Sequence, residues 1–289
     1  MNTINVGGAP IAVREIGEGR PVVLLHCTGG SGGQWRGVAE ALFANTRSGD
    51  FRLIMPDLHG HGKSPCWTGR GPMRLVDEAA IVSAIVEELG EPVHLVGHSY
   101  GGTVALRAAL ELPAMLNSLT LIEPVAFFLL RDGDAEDSRL LAEIGGLADA
   151  VSSGAVTGDF RAPMAGFVDY WSGAGTWASL PEDAKSALVN RIQTVALNFA
   201  ATISERTRLS ATQTLRVPTL LLQGDRTRPI AKRLIQLLMC SLPNATLKTV
   251  PGGGHMAPLT HAAAVAEAIA PHLVGRHMPL IPFLEHHAA

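Results

Sequence analysis

Gly97-His98-Ser99-Tyr100-Gly101 sets a serine between two glycines, after Pro92-Val93-His94-Leu95-Val96 and before an Ala-rich run from Gly102 to Leu112. The first flank reads as a buried strand and the second as a helix. A serine forced into the sharp turn between them presents its hydroxyl at the carboxyl edge of a sheet, and the glycines allow strand and helix to approach closely. Such a serine can attack a carbonyl carbon. At neutral pH its hydroxyl is a weak nucleophile, so it needs a base within hydrogen-bond reach and an acid to orient that base. Taken alone, the segment also fits an ordinary glycine-rich turn; the remaining residues that such chemistry requires decide between the two.

His255 is the candidate base. It follows Gly252-Gly253-Gly254 after a strand over 245–250 and precedes a helix, so its ring can swing over the same sheet edge. His98, inside the turn, points away from the serine, and His94 reads as a satisfied core residue. Two carboxylates compete as the acid. Glu123 stands at the strand tip Leu121-Ile122-Glu123-Pro124, and Asp225 follows Gly224 at the end of a strand over 217–222. Both keep the order serine, acid, histidine. Glu123 is preferred for its longer reach, with Asp225 as the alternative; either could instead cap a helix or pair with Arg226 or Arg228. Acyl transfer also needs N–H donors for a tetrahedral oxyanion. Tyr100, next after the serine, offers one, and Thr28 in the loop His26-Cys27-Thr28-Gly29-Gly30-Ser31 offers the second. Cys27 has no base placed to activate it.

Three other motifs fail on inspection. Gly62-Lys63-Ser64 ends like a phosphate loop, but Asp57 stands where the leading glycine belongs. His59-Gly60-His61 has metal-ligand spacing without a following Asp-His. The glycines from Gly29 to Gly33 miss the dinucleotide pattern, because position 35 is Trp35. Neither a metal nor a nucleotide cofactor is expected.

The elements that must position these residues are short apolar strands alternating with helices. An edge strand is expected over 11–16, a strand buried on both faces over 21–26, then strands over 51–55, 119–122, 217–222 and 245–250. One helix is expected over 73–89, with Leu75, Ala79, Val82, Val86 and Leu89 on one face, and another running to about Leu273. This alternation predicts an α/β chain with a mostly parallel sheet covered on both faces. The interval from Pro124 to Arg216 breaks the rhythm and reads as an inserted lid of three or four helices. It holds eight of the fourteen aromatics, among them Phe127, Phe128, Phe167, Tyr170, Trp171 and Trp177. Some must form the lid's own core, and the others are expected to line an apolar pocket above Ser99. Residues 1–123 and 217–289 are expected to form the core domain and 124–216 the cap. The tail from Gly275 reads as a loosely packed terminus.

With 289 residues, 47% of them hydrophobic and 17% charged, the chain can bury a large core. A net charge of −3 gives no reason to expect nucleic acid or an anionic membrane as partner. Three scattered cysteines, Cys27, Cys66 and Cys240, suit neither a disulfide framework nor a zinc site. No signal peptide or bilayer-length apolar run is evident, so a cytoplasmic location is expected.

Taken in order, the His26–Ser31 loop, Asp57-Leu58-His59-Gly60-His61-Gly62-Lys63-Ser64, the Ser99 turn and Gly254-His255 make the chain resemble the α/β-hydrolase superfamily over nearly its whole length. The resemblance implies an eight-stranded, mostly parallel sheet, a helical cap after the sixth strand, and no cofactor. Two departures stand out. Cys27 holds a place that is usually glycine, and Thr227 holds the usual place of the acid. Haloalkane dehalogenases and some lipases carry their acid where Glu123 lies, although dehalogenases and epoxide hydrolases use an aspartate in place of the serine. The implied activity is a serine hydrolase acting on an ester, thioester or lactone of a small to medium apolar molecule. A C–C bond hydrolase and a non-catalytic ligand receptor are the alternatives.

Overall fold

The computed structural model describes residues 2–45 and 49–275. Its strands are β1 (Asn2–Val6), β2 (Ala9–Ile16), β3 (Arg20–Leu25), β4 (Phe51–Pro56), β5 (Val93–His98), β6 (Leu116–Ile122), β7 (Thr219–Gly224) and β8 (Ala245–Val250). They form one sheet in the order β1-β2-β4-β3-β5-β6-β7-β8, in which only β2 runs against its neighbours. Residues 11–16 are therefore not an edge strand, as the sequence suggested. β1 covers that edge, joined to β2 through Gly7-Gly8, both at positive φ as a two-residue hairpin requires. The missed strand is short and buries only Ile4 and Val6, so its pattern barely rises above that of a polar terminus.

The central strands are buried on both faces, and alternation sorts their side chains between two cores. Val22, Leu24 and Val96 face α1 (Arg36–Asn45) together with the last described helix, over Ala262–Val274. Val23, Leu25 and Leu95 face α2 (Leu75–Leu89) and α3 (Tyr100–Glu111). Asp77 Oδ2 accepts the Arg74 N–H at 2.9 Å where α2 starts, and Gly90 ends the helix in the left-handed conformation. Register aligns the strand ends: Leu25 lies opposite Gly97, His98 opposite Ile122, and Ile122 opposite Leu222. The first residues beyond β5 and β6, Ser99 and Glu123, thus emerge side by side at one sheet edge.

Between β6 and β7 the described chain is helical. It holds α4 (Ala135–Thr157), α5 (Arg161–Ser172), the single turn α6 (Thr176–Ser179), α7 (Glu182–Val189), α8 (Ile192–Ser204) and the single turn α9 (Leu209–Thr212). Four helices exceed one turn, at the upper end of the sequence expectation. After β7 come α10 (Pro229–Ser241), α11 (Ala257–Thr260) and α12 (Ala262–Val274). Arg233 of α10 clasps the buried Asp137 of α4 with two hydrogen bonds of 2.6 and 2.7 Å, tying the helical segment to the sheet domain. Residues 276–289, most of the tail read as a loose terminus, lie outside the described residues.

Candidate active site

Ser99 and Glu123 are the two non-glycine residues with positive φ among the described residues, at 55° and 43°. Side chains resist that conformation, so both positions must be held by their surroundings. Ser99 N–H donates to the Ile122 carbonyl at 2.9 Å, and Glu123 N–H donates to the Leu222 carbonyl at 3.0 Å. Glycine makes the serine turn feasible. A Cβ at Gly97 would strike the Gly101 carbonyl, and one at Gly101 would strike the carbonyls of Leu25 and His26.

The His255 ring bridges the two residues. Its Nε2 lies 2.9 Å from Ser99 Oγ, and its Nδ1 lies 2.8 Å from Glu123 Oε2. All three side chains are buried. The carboxylate also accepts the Gly224 N–H at 2.7 Å and the Thr227 hydroxyl at 2.5 Å. Burial pushes the Glu123 carboxyl upward, but the hydrogen bonds from His255, Gly224 and Thr227 outweigh it and hold the group below the usual carboxylate range. Asp225 is exposed and makes no side-chain contact with His255. The carboxylate beside the ring is that of Glu123. Thr227, at the place where the resemblance puts the acid, donates to that carboxylate.

His98 has a task that sequence reasoning missed. Its Nε2 lies 2.8 Å from the His255 carbonyl, which can only accept, so that nitrogen carries the proton. Its Nδ1 then accepts from Gln34 Nε2 at 3.1 Å, while Gln34 Oε1 accepts the Cys27 N–H at 3.0 Å. One chain of bonds therefore connects the His26–Ser31 loop to the backbone of the candidate base. Burial holds His98 neutral, lowering it to about 3. No local pattern signals this role, because its partners are 64 and 157 residues away. His94 meets the Ser118 hydroxyl at 2.7 Å in the core.

The loop carrying Thr28 rests on two more buried histidines. His26 Nε2 accepts the Leu58 N–H and His61 Nε2 accepts the Gly29 N–H, so each carries its proton on Nδ1, toward the carbonyls of Cys27 and His59. Burial lowers them to about 4 and about 3. Asp57 accepts the N–H groups of Gly32 and Lys63, which explains the phosphate-loop lookalike as a turn folded onto a carboxylate. The N–H groups of Cys27, Gly29 and Gly30 are all bonded, whereas that of Thr28 makes no hydrogen bond among the described residues. Tyr100 N–H begins α3 immediately after Ser99. Burial drives the Cys27 thiol up to about 12, far from a thiolate.

A cavity of about 420 Å³ opens over Ser99 and His255. Phe167, Val168, Trp171, Leu180 and Leu188 of the helical segment line it, together with Arg191, whose guanidinium donates to the Gly29 carbonyl. Trp171 lies over the His255 ring with centroids 4.2 Å apart. A second, small cavity that also reaches Ser99 is lined by Phe127, Phe199 and Asn198 among others. Phe128 belongs to the core, Tyr170 lies under Arg228, and Trp177 lies beside Arg161. The aromatics thus divide between pocket and packing. Among the described residues no group of His, Cys, Asp and Glu is arranged to hold a metal, and no helix is long and apolar enough to cross a membrane.

Residues 20–262 match the family model described as the alpha/beta hydrolase fold. The chain is 34% identical over 163 residues to a pimeloyl-acyl-carrier-protein methyl ester esterase of Aeromonas salmonicida; the match takes in 55% of this chain and 56% of that protein, little more than half. It is 29% identical over 275 residues to a 2-hydroxy-6-oxo-6-phenylhexa-2,4-dienoate hydrolase of Burkholderia cepacia, covering 91% of each. The solved structure of a hydrolase from Pseudomonas aeruginosa PA01 superposes with a TM-score of 0.70 at 26% identity, covering 93% of this chain and 95% of the other.

Proposed function

The chain belongs to the alpha/beta hydrolase family, and from that premise we propose that it is a serine hydrolase cleaving carboxylic esters of small to medium apolar molecules through an acyl-enzyme on Ser99. The observation that carries this reading is the continuous contact from Ser99 Oγ through His255 to Glu123, at 2.9 and 2.8 Å, beneath an apolar cavity. Ser99 Oγ attacks the carbonyl carbon as His255 Nε2 takes its proton. Glu123 stabilises the resulting imidazolium through Nδ1–H. The N–H groups of Tyr100 and Thr28 receive the oxyanion, and the free donor at Thr28 supports that role. Collapse of the tetrahedral species breaks the bond to the leaving group, which takes the proton from His255. Water, deprotonated by His255, then releases the acid. Thioesters and lactones follow the same course.

In this reading residues 1–123 and 217–289 carry the catalytic groups, and 124–216 form a cap that supplies the apolar wall. The partner is a small molecule; the net charge of −3 supports neither nucleic acid nor an anionic membrane surface. The free thiols of Cys66 and Cys240, both exposed, support a reducing, cytoplasmic location. C–C bond hydrolysis is the second reading, favoured by the match along 91% of the Burkholderia cepacia protein.

Intact-mass measurement after incubation with a fluorophosphonate tests the nucleophile. One adduct on the native chain and none on Ser99→Ala is the expected result; a folded native chain without adduct would sink the proposal. Turnover of naphthyl esters against a vinylogous 1,5-diketone separates the two readings.

A further inference from the structure

The loop that carries Thr28 is gripped from two sides. Its turn over 27–30 is closed by the Gly30 N–H, which donates to the Cys27 carbonyl at 3.1 Å, with Gly29 at φ 73°. Two successive glycines restrain their own backbone weakly, so the direction of the Thr28 N–H depends on what holds the peptides after it. From the sheet domain, Gln34 accepts the Cys27 N–H and His61 accepts the Gly29 N–H. The Gly29 carbonyl, by contrast, is held from the helical segment, by the guanidinium of Arg191.

Arg191 stands at the junction of α7 and α8, half-buried, and its backbone is anchored there. Its N–H donates to the Leu188 carbonyl at 3.0 Å, and its carbonyl accepts the Val195 N–H at 2.9 Å. Within the first turn of α8, the Thr194 hydroxyl donates to the Gly60 carbonyl at 3.3 Å, next to His61. One short stretch of the helical segment therefore holds both the loop that carries Thr28 and the loop whose histidine supports it. Burial is the main reason that His26 and His61 stay neutral, and the Arg191 charge adds to it. That keeps His61 Nε2 available as the acceptor of the Gly29 N–H.

We propose that Arg191 is a positioning residue for the oxyanion. By fixing the Gly29 carbonyl it keeps the preceding Thr28 N–H turned toward the substrate oxygen, so the second oxyanion donor is complete only while the helical segment grips the loop. Arg191 acts through the loop rather than on the reacting atoms. Such a donor accelerates acyl transfer only if it is aimed before the charge develops, which is what an external grip on a glycine turn supplies. The inference rests on the acyl-enzyme reading of Ser99.

The test compares wild type, Arg191→Ala and Arg191→Lys on 1-naphthyl acetate, a neutral ester with no carboxylate for a guanidinium to bind. Arg191→Ala is expected to lose about 10²-fold in kcat with KM within about twofold, as for an interaction made only in the transition state. Its fluorophosphonate labelling is expected to slow in parallel, because the phosphoryl oxygen takes the oxyanion position, while its melting temperature stays close to that of the wild type. Arg191→Lys, or millimolar guanidinium added to Arg191→Ala, is expected to restore part of kcat, since either supplies a cationic donor to the Gly29 carbonyl. Wild-type kcat and labelling in Arg191→Ala would overturn the positioning role alone. A loss that falls on KM, or one that neither lysine nor guanidinium relieves, would do the same. Absence of labelling in the wild type overturns the Ser99 reading itself.

Discussion

Glu123 and Glu78 are both carboxyls buried beside the Ser99 turn, yet their surroundings treat them in opposite ways. Glu123, past the end of β6, receives three short hydrogen bonds of 2.5 to 2.8 Å from Thr227, Gly224 and His255. Glu78, on α2 beneath α3, receives only the His59 N–H at 3.2 Å and the Tyr100 hydroxyl at 3.5 Å. Burial pushes Glu78 up to about 8, against the pull of those two donors, while Glu123 stays below the usual range. Depth of burial is nearly equal, so the count and closeness of donors set the sign. The same contrast extends outward. Around His255 the bonds continue through His98 to Gln34, whereas Glu78 leads to the Tyr100 hydroxyl, which in turn meets the Asn198 side chain. One network favours a charged carboxylate, and the other favours a neutral carboxyl.

Four substitutions can break or sharpen that contrast. Glu123→Gln keeps the shape but replaces a charge with an amide that leaves the wrong histidine tautomer, and a loss of about 10⁴ in kcat is expected from steady-state kinetics. Full activity would remove Glu123 from the proposed triad. Thr227→Val deletes one donor to a charged group, and kcat/KM should fall roughly tenfold, in line with a bond of about 1.5–3 kcal/mol. Glu78→Gln addresses the opposite network. Between about 4.5 and about 8 the unfolded chain has lost the proton that folded Glu78 retains, so native stability declines as pH rises through that window. Melting curves of Glu78→Gln should lack this decline and exceed the wild type above pH 8; parallel curves would show that Glu78 ionises normally. The smallest effect belongs to Asp225→Ala, for which activity within about twofold of wild type is expected, as for an exposed residue remote from the histidine.

Acid stability supplies a further check. His26, His61 and His98 are neutral in the fold and lowered to about 4, 3 and 3, whereas an unfolded histidine protonates near 6.5. Their contribution is present above about 6.5 and is lost as pH falls toward 3. A melting temperature that declines on both sides of mildly acidic pH is expected from these histidines and Glu78 together.

Local pattern made much of the architecture legible. Val22–Leu25 reads as a doubly buried strand because consecutive apolar side chains face both cores, and Gly97 and Gly101 mark the turn because nothing larger fits there. β1 escaped because five residues with two buried positions carry too little periodicity. Ser99 and His255 could be paired from their places after strand ends. The histidine network could not, since His26, His61 and His98 resemble any other core histidine until their distant partners are known.

By itself, the order of residues determined where strands end, which serine sits in a strained turn and which histidine can reach it. Those features depend on contacts within a few residues, where steric rules and side-chain volume act directly. The tertiary structure alone placed Glu123 rather than Asp225 beside His255, gave Thr227 and His98 their partners, and divided the aromatics between pocket and core. Each of those outcomes depends on strand order and register, which bring together groups more than 60 residues apart and are set by the balance of packing over the whole sheet.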